Sequence, residues 1–321
     1  MSFEETLARI SGTAVLILGD VMLDEYIWGE VRRISPEAPV PIVEAQRHTF
    51  APGGAANVAA NVVSLGGVAL LGGLVGEDEG AIRLKQILEE QGVNPCGLTP
   101  DPQRPTTRKT RILAHSQQVA RVDSERRSPL PSAQEESLLL WAEQNLPHVG
   151  ACVLSDYSKG VITASSAQKF IALAKKYNIP VLVDPKGADY AKYRGATLIT
   201  PNLNELELAT GIDAHDEENL LSASKKLGEI LPETALLVTR GAQGMSLFLP
   251  HQEPTHIPTL ARHVYDVTGA GDTVVSTLAL LLATGAETLI SAHLANAAAG
   301  VVVGKVGTAR VTCAELQENL P

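Results

Sequence analysis

Short apolar runs that end in a polar or acidic residue alternate with helical segments along this chain. Three of these runs are residues 14–18, 152–154 and 180–183, which are followed closely by Asp20, Asp156 and Asp184. Such runs are typical of strands buried on both faces, and their alternation with helices predicts an α/β fold with a mostly parallel sheet. Ligands of open α/β sheets bind outside the carboxyl ends of the strands, so we expect these carboxylates to share one rim.

Two segments depart from this alternation. The first, residues 25–50, carries Pro36, Pro39 and Pro41, which are typical of edge strands or irregular connections. The second, about residues 105–123, contains two short strand patterns that indicate a hairpin. We expect the two segments to pair as a small β lid within a single domain over residues 1–321.

Composition excludes several classes of protein. The formal net charge is −10, which disfavours nucleic acid or an anionic membrane as a partner, because both need a basic surface. Hydrophobic residues make up 45% of the chain, which excludes general disorder. Three widely spaced cysteines indicate neither a disulfide framework nor a zinc site. The acidic N-terminus lacks the basic region of a signal peptide, so we expect a cytoplasmic protein.

The strongest motif is DVTGAGD at residues 266–272, directly before a long apolar segment. A helix N-terminus is an anion site, and Gly269 and Gly271 let the backbone approach a phosphate closely. Asp272 suits a base that takes a proton from an attacking hydroxyl, while N–H groups from Gly269 through Ala270 and Gly271 offset the developing charge. The residues alone leave a second interpretation open, in which Asp272 only accepts hydrogen bonds from the first N–H groups of the helix.

DVTGAGD resembles the phosphate-binding signature of the ribokinase-like, or PfkB, carbohydrate kinases, with Val267 where that family usually has Thr. The resemblance implies a three-layer α/β/α sandwich with a small β-sheet lid. It implies ATP and Mg²⁺ as cofactors and Asp272 as the catalytic base. In this family such lids often pair between subunits, so a homodimer through the lid is expected.

Two elements resemble the sugar-binding parts of the same family. They are GDVMLD at residues 19–24 and PGGAANVA at residues 52–59, which implies substrate contacts from Asp20, Asp24, Gly53, Gly54 and Asn57. Paired glycines remove side-chain bulk, so that sugar hydroxyls can reach backbone N–H groups, and an Asn side chain can both donate and accept. Without the resemblance, GGAAN is also typical of close helix packing.

TPNLNE at residues 200–205 resembles the NxxE element of the family. The resemblance implies that Asn202, Asn204 and Glu205 lie near the triphosphate, with Glu205 at a water-coordinated Mg²⁺. The other interpretation is a capping box, in which Asn202 and Glu205 satisfy the first N–H groups of a helix.

Two further strings resemble nucleotide-binding parts. TRGAQG at residues 239–244 resembles the glycine turn beside the phosphates and ribose, which implies contacts from Thr239, Gly241 and Gly244. LANAAAG at residues 294–300 resembles the helix of the adenine pocket, which implies contacts from Asn296 and Gly300. Taken alone, that helix would be ordinary core.

Longer strings such as SPEAPVP, LSDYSKG and VDPKG resemble one subgroup, the kinases that phosphorylate C1 of D-glycero-β-D-manno-heptose 7-phosphate in ADP-heptose synthesis for lipopolysaccharide. In many relatives this kinase is fused to a nucleotidylyltransferase with an HxGH-type motif. The sequence has no such motif, so we expect a stand-alone kinase, and the sequence leaves open whether a separate nucleotidylyltransferase completes the pathway. The alternatives are a kinase of another sugar or sugar phosphate, and a non-catalytic sugar-phosphate sensor on the same fold.

A sugar phosphate needs cations at the far end of the sugar site. Arg suits bidentate contact with phosphate, and Lys acts as a point charge. The candidates are Arg108, Lys109, Arg111, Arg121, Lys159 and Lys186. We expect Lys186, Lys159 and Arg121 to be the principal ones. The other interpretations are solvated surface charges and ion pairs with Asp156 or Asp184.

Overall fold

A computed structural model describes residues 3–115, 117–261, 264–305, 307 and 309–320, and every predicted site residue lies among them. Of the predicted lid, Ser116 lies outside the described residues. The strands are β1 (Ala14–Gly19), β2 (Val21–Ile34), β3 (Pro41–Gly54), β4 (Val68–Val75), β5 (Asn94–Pro100), β6 (Arg108–Ala114), β7 (Gln117–Ser124), β8 (Ala151–Ser155), β9 (Val181–Asp184), β10 (Leu198–Ile199), β11 (Ala235–Thr239), β12 (Met245–Phe248) and β13 (Thr255–Ile257).

The helices surround these strands. They are α1 (Phe3–Ala8), α2 (Ala55–Ser64), α3 (Glu79–Glu90), α4 (Ser132–Asn145), α5 (Ala164–Lys176), α6 (Leu203–Thr210), α7 (Glu217–Ile230), α8 (Ala270–Ala283), α9 (Thr288–Val302) and α10 (Cys313–Gln317). Across the described ranges, every helix is too short or too polar to cross a membrane.

The main sheet has the order β13-β12-β11-β10-β9-β8-β1-β4-β5 within the described residues. The central strand β1 pairs in parallel with β4 on one side and β8 on the other. Among the described strands of this sheet only β12 is reversed, since it pairs antiparallel with both β11 and the edge strand β13. The predicted, mostly parallel sheet is therefore confirmed. β1 is buried from Val15 to Gly19, as expected for a central strand with both faces covered.

Alternation along β1 separates two hydrophobic cores. Val15 and Ile17 join a core with α2, α3, α8 and α9, whereas Leu16 and Leu18 join a core with α4, α5, α6 and α7. Since successive side chains of a strand point to opposite faces, one strand contributes to both cores. The result is the expected sandwich of helices, sheet and helices.

The lid is a second, four-stranded sheet in the order β3-β2-β6-β7. The long strands β2 and β3 are antiparallel, and β6 runs parallel to β2. The pairing of β2 with β3 extends inward to Val21 and Gly54, beyond the predicted range of 25–50. β3 then leads directly into α2, so the base of the lid is continuous with the main domain.

Shortening a core side chain tests the packing of α8. Leu278 lies on α8 with 0% of its surface exposed, in the core formed with β1 and α9. We expect Leu278→Ala to lower the free energy of unfolding by about 3 kcal/mol, because a buried cavity remains after partial relaxation. Urea denaturation followed by circular dichroism measures this change.

The matched control is the same substitution on an exposed part of a helix. Leu221 on α7 is 49% exposed, so Leu221→Ala should change the free energy of unfolding by less than about 0.5 kcal/mol. Equal losses for the two variants would contradict the assignment of Leu278 to the core.

Candidate active site

The carboxyl ends of neighbouring strands form one rim. The N–H of Asp20 after β1 donates to the Ser155 carbonyl at 3.1 Å, and the N–H of Asp156 after β8 donates to the Asp184 carbonyl at 3.0 Å. The N–H of Thr200 after β10 donates to the Val183 carbonyl at 3.0 Å. The shared rim expected from the sequence is therefore confirmed.

The N-terminus of α8 faces this rim. Gly269 precedes the helix in the left-handed conformation, with φ of 81°, which an L side chain rarely adopts. Asp272 lies in the first turn and is 4% exposed. The DVTGAGD motif is thus a glycine turn that opens a buried helix, as predicted.

The Asp272 carboxylate is held by two side chains from other elements. Its Oδ2 accepts a hydrogen bond from Asn57 Nδ2 on α2 at 2.7 Å, and its Oδ1 accepts one from the Tyr157 hydroxyl at 2.9 Å. Among the described residues, no N–H group of α8 donates to this carboxylate, so the capping interpretation does not fit. The carboxylate is aimed across the rim.

Burial raises the pKa of Asp272 to about 6, although the hydrogen bonds from Asn57 and Tyr157 act to lower it. The nearby Asp24 carboxylate raises it further, and Lys109 acts in the opposite direction. A general base works best when its pKa lies near the operating pH, because it is then deprotonated and still basic. Asp272 therefore has the properties of a base at neutral pH.

The paired glycines lie where β3 returns to the main domain. A Cβ on Gly54, whose φ is 57°, would stand 2.4 Å from the Asp20 carbonyl oxygen. A Cβ on Gly53 would stand 2.5 Å from Asp24 Oδ2. The alternative interpretation of GGAAN was close packing against a helix. The two glycines are closely packed, but their nearest neighbours belong to the β1–β2 segment.

Asp20 organises a loop. Its Oδ2 accepts from the N–H groups of Tyr157 and Lys159 at 2.8 and 2.9 Å, and its Oδ1 accepts from the N–H of Val161 at 3.0 Å. These contacts hold the loop of residues 157–161 at the rim. Direct contact between Asp20 and a sugar stays a prediction, whereas its contact with this loop is part of the structure.

The lid brings cations to the same place. Arg111 Nη1 on β6 donates to Asp24 Oδ1 at 2.6 Å, and Lys109 Nζ lies 5.5 Å from the centre of the Tyr157 ring. Burial lowers the pKa of Lys109, and the nearby charges of Lys159 and Arg111 lower it further. These residues form a cationic cluster beside Asp24, which we call the lid cluster: Lys109, Arg111 and Lys159.

The three principal phosphate-binding candidates from the sequence lie in different parts of the structure. Lys159 belongs to the lid cluster and pairs with Glu125 at 2.6 Å. Arg121 lies opposite Arg111 in the β6–β7 pair, where it is half exposed and bonded to Asp123 at 2.9 Å. Lys186 pairs with Glu205 Oε1 at 2.7 Å, at the NxxE element. Asp156, an expected partner for these lysines, pairs with Lys192 at 2.5 Å.

The NxxE element begins α6. Asn202 is the N-cap of this helix, and it forms a capping box with Glu205, whose Oε2 accepts from the Asn202 N–H at 3.0 Å. The capping interpretation is therefore confirmed, and it leaves Glu205 Oε1 directed to Lys186. Asn204 is exposed. Burial raises the pKa of the neighbouring Asp184, as do the charges of Asp272 and Glu205.

The two predicted nucleotide elements meet at residues 257–261. The backbone of Gly244 lies against Ile257 and Pro258, and Gly300 on α9 lies against Leu260 and Ala261. The Asn296 side chain donates to the Pro258 carbonyl at 2.8 Å, as a buried polar group of the helix.

The turn that begins at Gly241 is connected to the NxxE element. The N–H of Thr239, at the end of β11, donates to the Pro201 carbonyl at 2.9 Å, and Asn202 and Thr239 form a parallel bridge. Gly241 opens the short 3₁₀ turn that follows β11.

Tyr157 is the residue of the site that sequence reasoning missed. Its position in LSDYSKG, one residue after Asp156 at the end of β8, was a usable signal, because side chains at that end face the rim. Its partner Asp272 is distant in sequence, so the contact between them could not be predicted from local pattern.

The chain belongs to the pfkB carbohydrate kinase family. The sequence model described as pfkB family carbohydrate kinase matches residues 13–314. The "Bifunctional protein HldE" of Geobacter sulfurreducens is 46% identical over 317 residues, which cover 99% of this chain and 65% of that protein. The protein of the same name from Haemophilus influenzae is 47% identical over 313 residues, covering 98% of this chain and 64% of that protein. The chain thus spans slightly less than two thirds of these relatives.

Solved structures show the fold. The ribokinase of Arabidopsis thaliana in complex with ribose and ATP matches with a TM-score of 0.77 and 22% identity, over 96% of this chain and 98% of that one. Phosphofructokinase-2 of Escherichia coli in complex with substrates and products matches with a TM-score of 0.76 and 18% identity, over the same shares. The predicted ribokinase-like α/β fold with a small lid sheet is confirmed.

Ionisation of Asp272 should be visible in the stability of the protein. Because its pKa is raised in the folded state, the protonated form favours folding, and this contribution is lost as the pH rises through about 6. Between pH 4 and pH 7.5 we expect the wild type to lose up to about 3 kcal/mol of unfolding free energy relative to Asp272→Asn. Urea denaturation at several pH values measures the difference.

Asn cannot ionise, so the variant itself serves as the reference in this comparison. The loss of one hydrogen-bond acceptor in Asp272→Asn adds an offset. The variant also removes the charge that raises the pKa of Asp184, so the difference between the two profiles contains the titration of Asp272 together with its coupling to Asp184. Parallel pH profiles for the two proteins would contradict a raised pKa at Asp272.

Proposed function

We propose that this chain transfers the γ-phosphoryl group of ATP to the C1 hydroxyl of D-glycero-β-D-manno-heptose 7-phosphate, giving the 1,7-bisphosphate and ADP. The observation that carries the proposal is the buried Asp272 carboxylate at the glycine-opened N-terminus of α8, with a pKa of about 6. Family membership supports the reaction class. The subgroup strings and the 46–47% identity to proteins named HldE support the sugar.

Asp272 acts as the general base. Its carboxylate takes the proton of the C1 hydroxyl as that oxygen forms a bond to the γ-phosphorus, while the bond from that phosphorus to the β–γ bridging oxygen breaks and ADP departs with the electron pair. The N–H groups of Gly269, Gly271 and Asp272 offset the charge on the transferred group, since the first N–H groups of a helix have no partner within it. The N–H of Ala270, the fourth candidate, donates to the Val267 carbonyl at 3.2 Å in this structure. Catalysis of this kind is mostly positioning and electrostatics.

Mg²⁺ fits the acidic side of the rim. The proposed ligand is Glu205, acting through water, with Asp184 nearby, and oxygen donors of this kind suit a hard cation. The raised pKa of Asp184, caused by burial and then by the charges of Asp272 and Glu205, marks a place where added positive charge would be favourable. When bound, the ion supplies positive charge that offsets the phosphate oxygens of ATP.

The lid cluster suits the 7-phosphate of the sugar. Lys109 and Arg111 lie beside Asp24, and Lys159 is carried by the loop that holds Tyr157. Arg121 lies across the strand pair from Arg111 and extends the positive surface. Lys186 pairs with Glu205, so we now assign it to the nucleotide side of the site.

The lid also suits a homodimer. Ile34 on β2 and Val119 and Val122 on β7 are exposed apolar side chains, as is Val40 in the connection just before β3. Pairing between lids would cover them and remove an exposed sheet edge. The 1,7-bisphosphate product would pass onward to a pathway that ends in a nucleotidylyltransferase, which we propose to be a partner enzyme.

Substrate choice is tested by ADP release from Mg-ATP with purified protein. We expect turnover with D-glycero-D-manno-heptose 7-phosphate and little with fructose 6-phosphate, ribose or the unphosphorylated heptose. Asp272→Asn should retain ATP binding and lose turnover by roughly three orders of magnitude or more, because the proton acceptor is removed.

Other outcomes of these assays would contradict specific parts of the proposal. Preference for another sugar would retain the Asp272 chemistry and contradict the subgroup assignment. Binding of ATP and sugar phosphate without turnover would favour a non-catalytic sensor. Near-normal turnover of Asp272→Asn would show that Asp272 is not the base.

The lid cluster is tested by Lys109→Ala. We expect the KM for the heptose 7-phosphate to rise about tenfold or more, because a charge-assisted contact with the phosphate is lost, while the KM for ATP stays within about twofold. Lys225→Ala, at an exposed position on α7, is the matched control and should change neither constant. An unchanged KM for the sugar phosphate in Lys109→Ala would place the phosphate elsewhere.

A further inference from the structure

The Tyr157 hydroxyl is one of two side-chain groups that donate to the Asp272 carboxylate among the described residues. It reaches Oδ1 at 2.9 Å, while Asn57 Nδ2 reaches Oδ2 at 2.7 Å. Each oxygen of the carboxylate is therefore held by one neutral donor, and its plane cannot rotate without breaking both hydrogen bonds. A carboxylate oxygen has more than one acceptor site, so each retains capacity for a substrate hydroxyl.

Tyr157 is itself held in place from both sides. On the backbone side, its N–H donates to Asp20 Oδ2 at 2.8 Å, and the same carboxylate binds the N–H groups of Lys159 and Val161. On the lid side, Lys109 Nζ lies 5.5 Å from the ring centre, within the range of a cation–π contact. The phenol thus connects the catalytic base, the rim loop and the lid.

The Tyr157 hydroxyl is protonated, as a hydrogen-bond donor must be. Burial raises the pKa of Tyr157 well above the usual range, as do the nearby charges of Asp272 and Asp184. The hydroxyl therefore remains protonated at every pH at which the enzyme would be assayed, and it donates to Asp272 throughout.

We propose that Tyr157 is a positioning residue for the phosphoryl transfer, orienting the Asp272 carboxylate toward the substrate hydroxyl through its own hydroxyl group. This inference rests on the proposed function. Asp20 serves as the anchor that sets the backbone of Tyr157, which explains a buried carboxylate at the end of β1 whose oxygens are bonded to backbone N–H groups.

Other charged and polar groups that face Asp272 come from each neighbouring element. They are Asp24 and Lys109 of the lid, Asp184 at the end of β9, and Asn57 of α2. Changing the Tyr157 hydroxyl alone leaves all of them in place, so its effect can be separated from theirs.

The test is Tyr157→Phe, which removes the hydroxyl and retains the ring beneath Lys109. We expect kcat to fall about tenfold, the energy of a hydrogen bond lost from an oriented group, with both KM values within about twofold. The acidic limb of the kcat/KM profile should move to higher pH by roughly half a unit or more, because the donor that is removed acts to lower the pKa of Asp272. A purely structural role would lower activity without moving this limb.

Tyr177→Phe is the matched control. Tyr177 is the C-cap of α5 and its ring lies near Lys176, so removing its hydroxyl should leave kcat and the pH profile unchanged. Circular dichroism should show wild-type secondary structure for both variants. A pH profile of Tyr157→Phe that coincides with that of the wild type would overturn the proposal.

A second readout needs no substrate. The difference in unfolding free energy between the wild type and Asp272→Asn, followed against pH, reports the titration of this carboxyl. When both proteins also carry Tyr157→Phe, the midpoint of that titration should move upward from about 6. Such a shift without turnover of heptose 7-phosphate would support the positioning role and reject the substrate, whereas an unmoved midpoint would overturn the positioning role with any substrate.

Discussion

Burial of one carboxylate, that of Asp272, is the electrostatic constraint on which the site depends. A charge in such a place is unfavourable unless polar groups are brought to it, and here they come from distant elements. Asn57 reaches it from α2, the helix that follows β3, and Tyr157 from the loop after β8. The raised pKa that results is both a cost to the fold and the property that a base at neutral pH requires.

The residues around the Asp272 carboxylate also connect the site to the lid. β2 begins two residues after β1 ends, and β3 leads directly into α2, so the lid strands are built on the segments that carry Asp20 and Asn57. At the other side of the site, Lys109 of β6 lies over the Tyr157 ring. Movement of the lid would therefore alter the surroundings of Asp272 through contacts that already exist in this structure.

Local pattern predicted the elements with strong periodicity well. β1, β8 and β9 each match their predicted apolar runs to within one residue at either end. The antiparallel edge strands β12 and β13 were not predicted, because runs of four and three residues carry little periodic signal. β12 is stabilised by pairing with β11, and β13 by pairing with β12, and these neighbours are supplied only by the folded chain.

Three features could be established from the amino-acid sequence alone: the fold class, the glycine turn before α8, and the residue types at the strand ends. Each of them rests on neighbours within a few positions of the chain. The partners of those residues were decided by the three-dimensional arrangement, which gave Asp272 the donors Asn57 and Tyr157 and paired Lys186 with Glu205. A hydrogen bond or an ion pair is set by distance in space, and these partners come from different strands and helices, so no local pattern contains them.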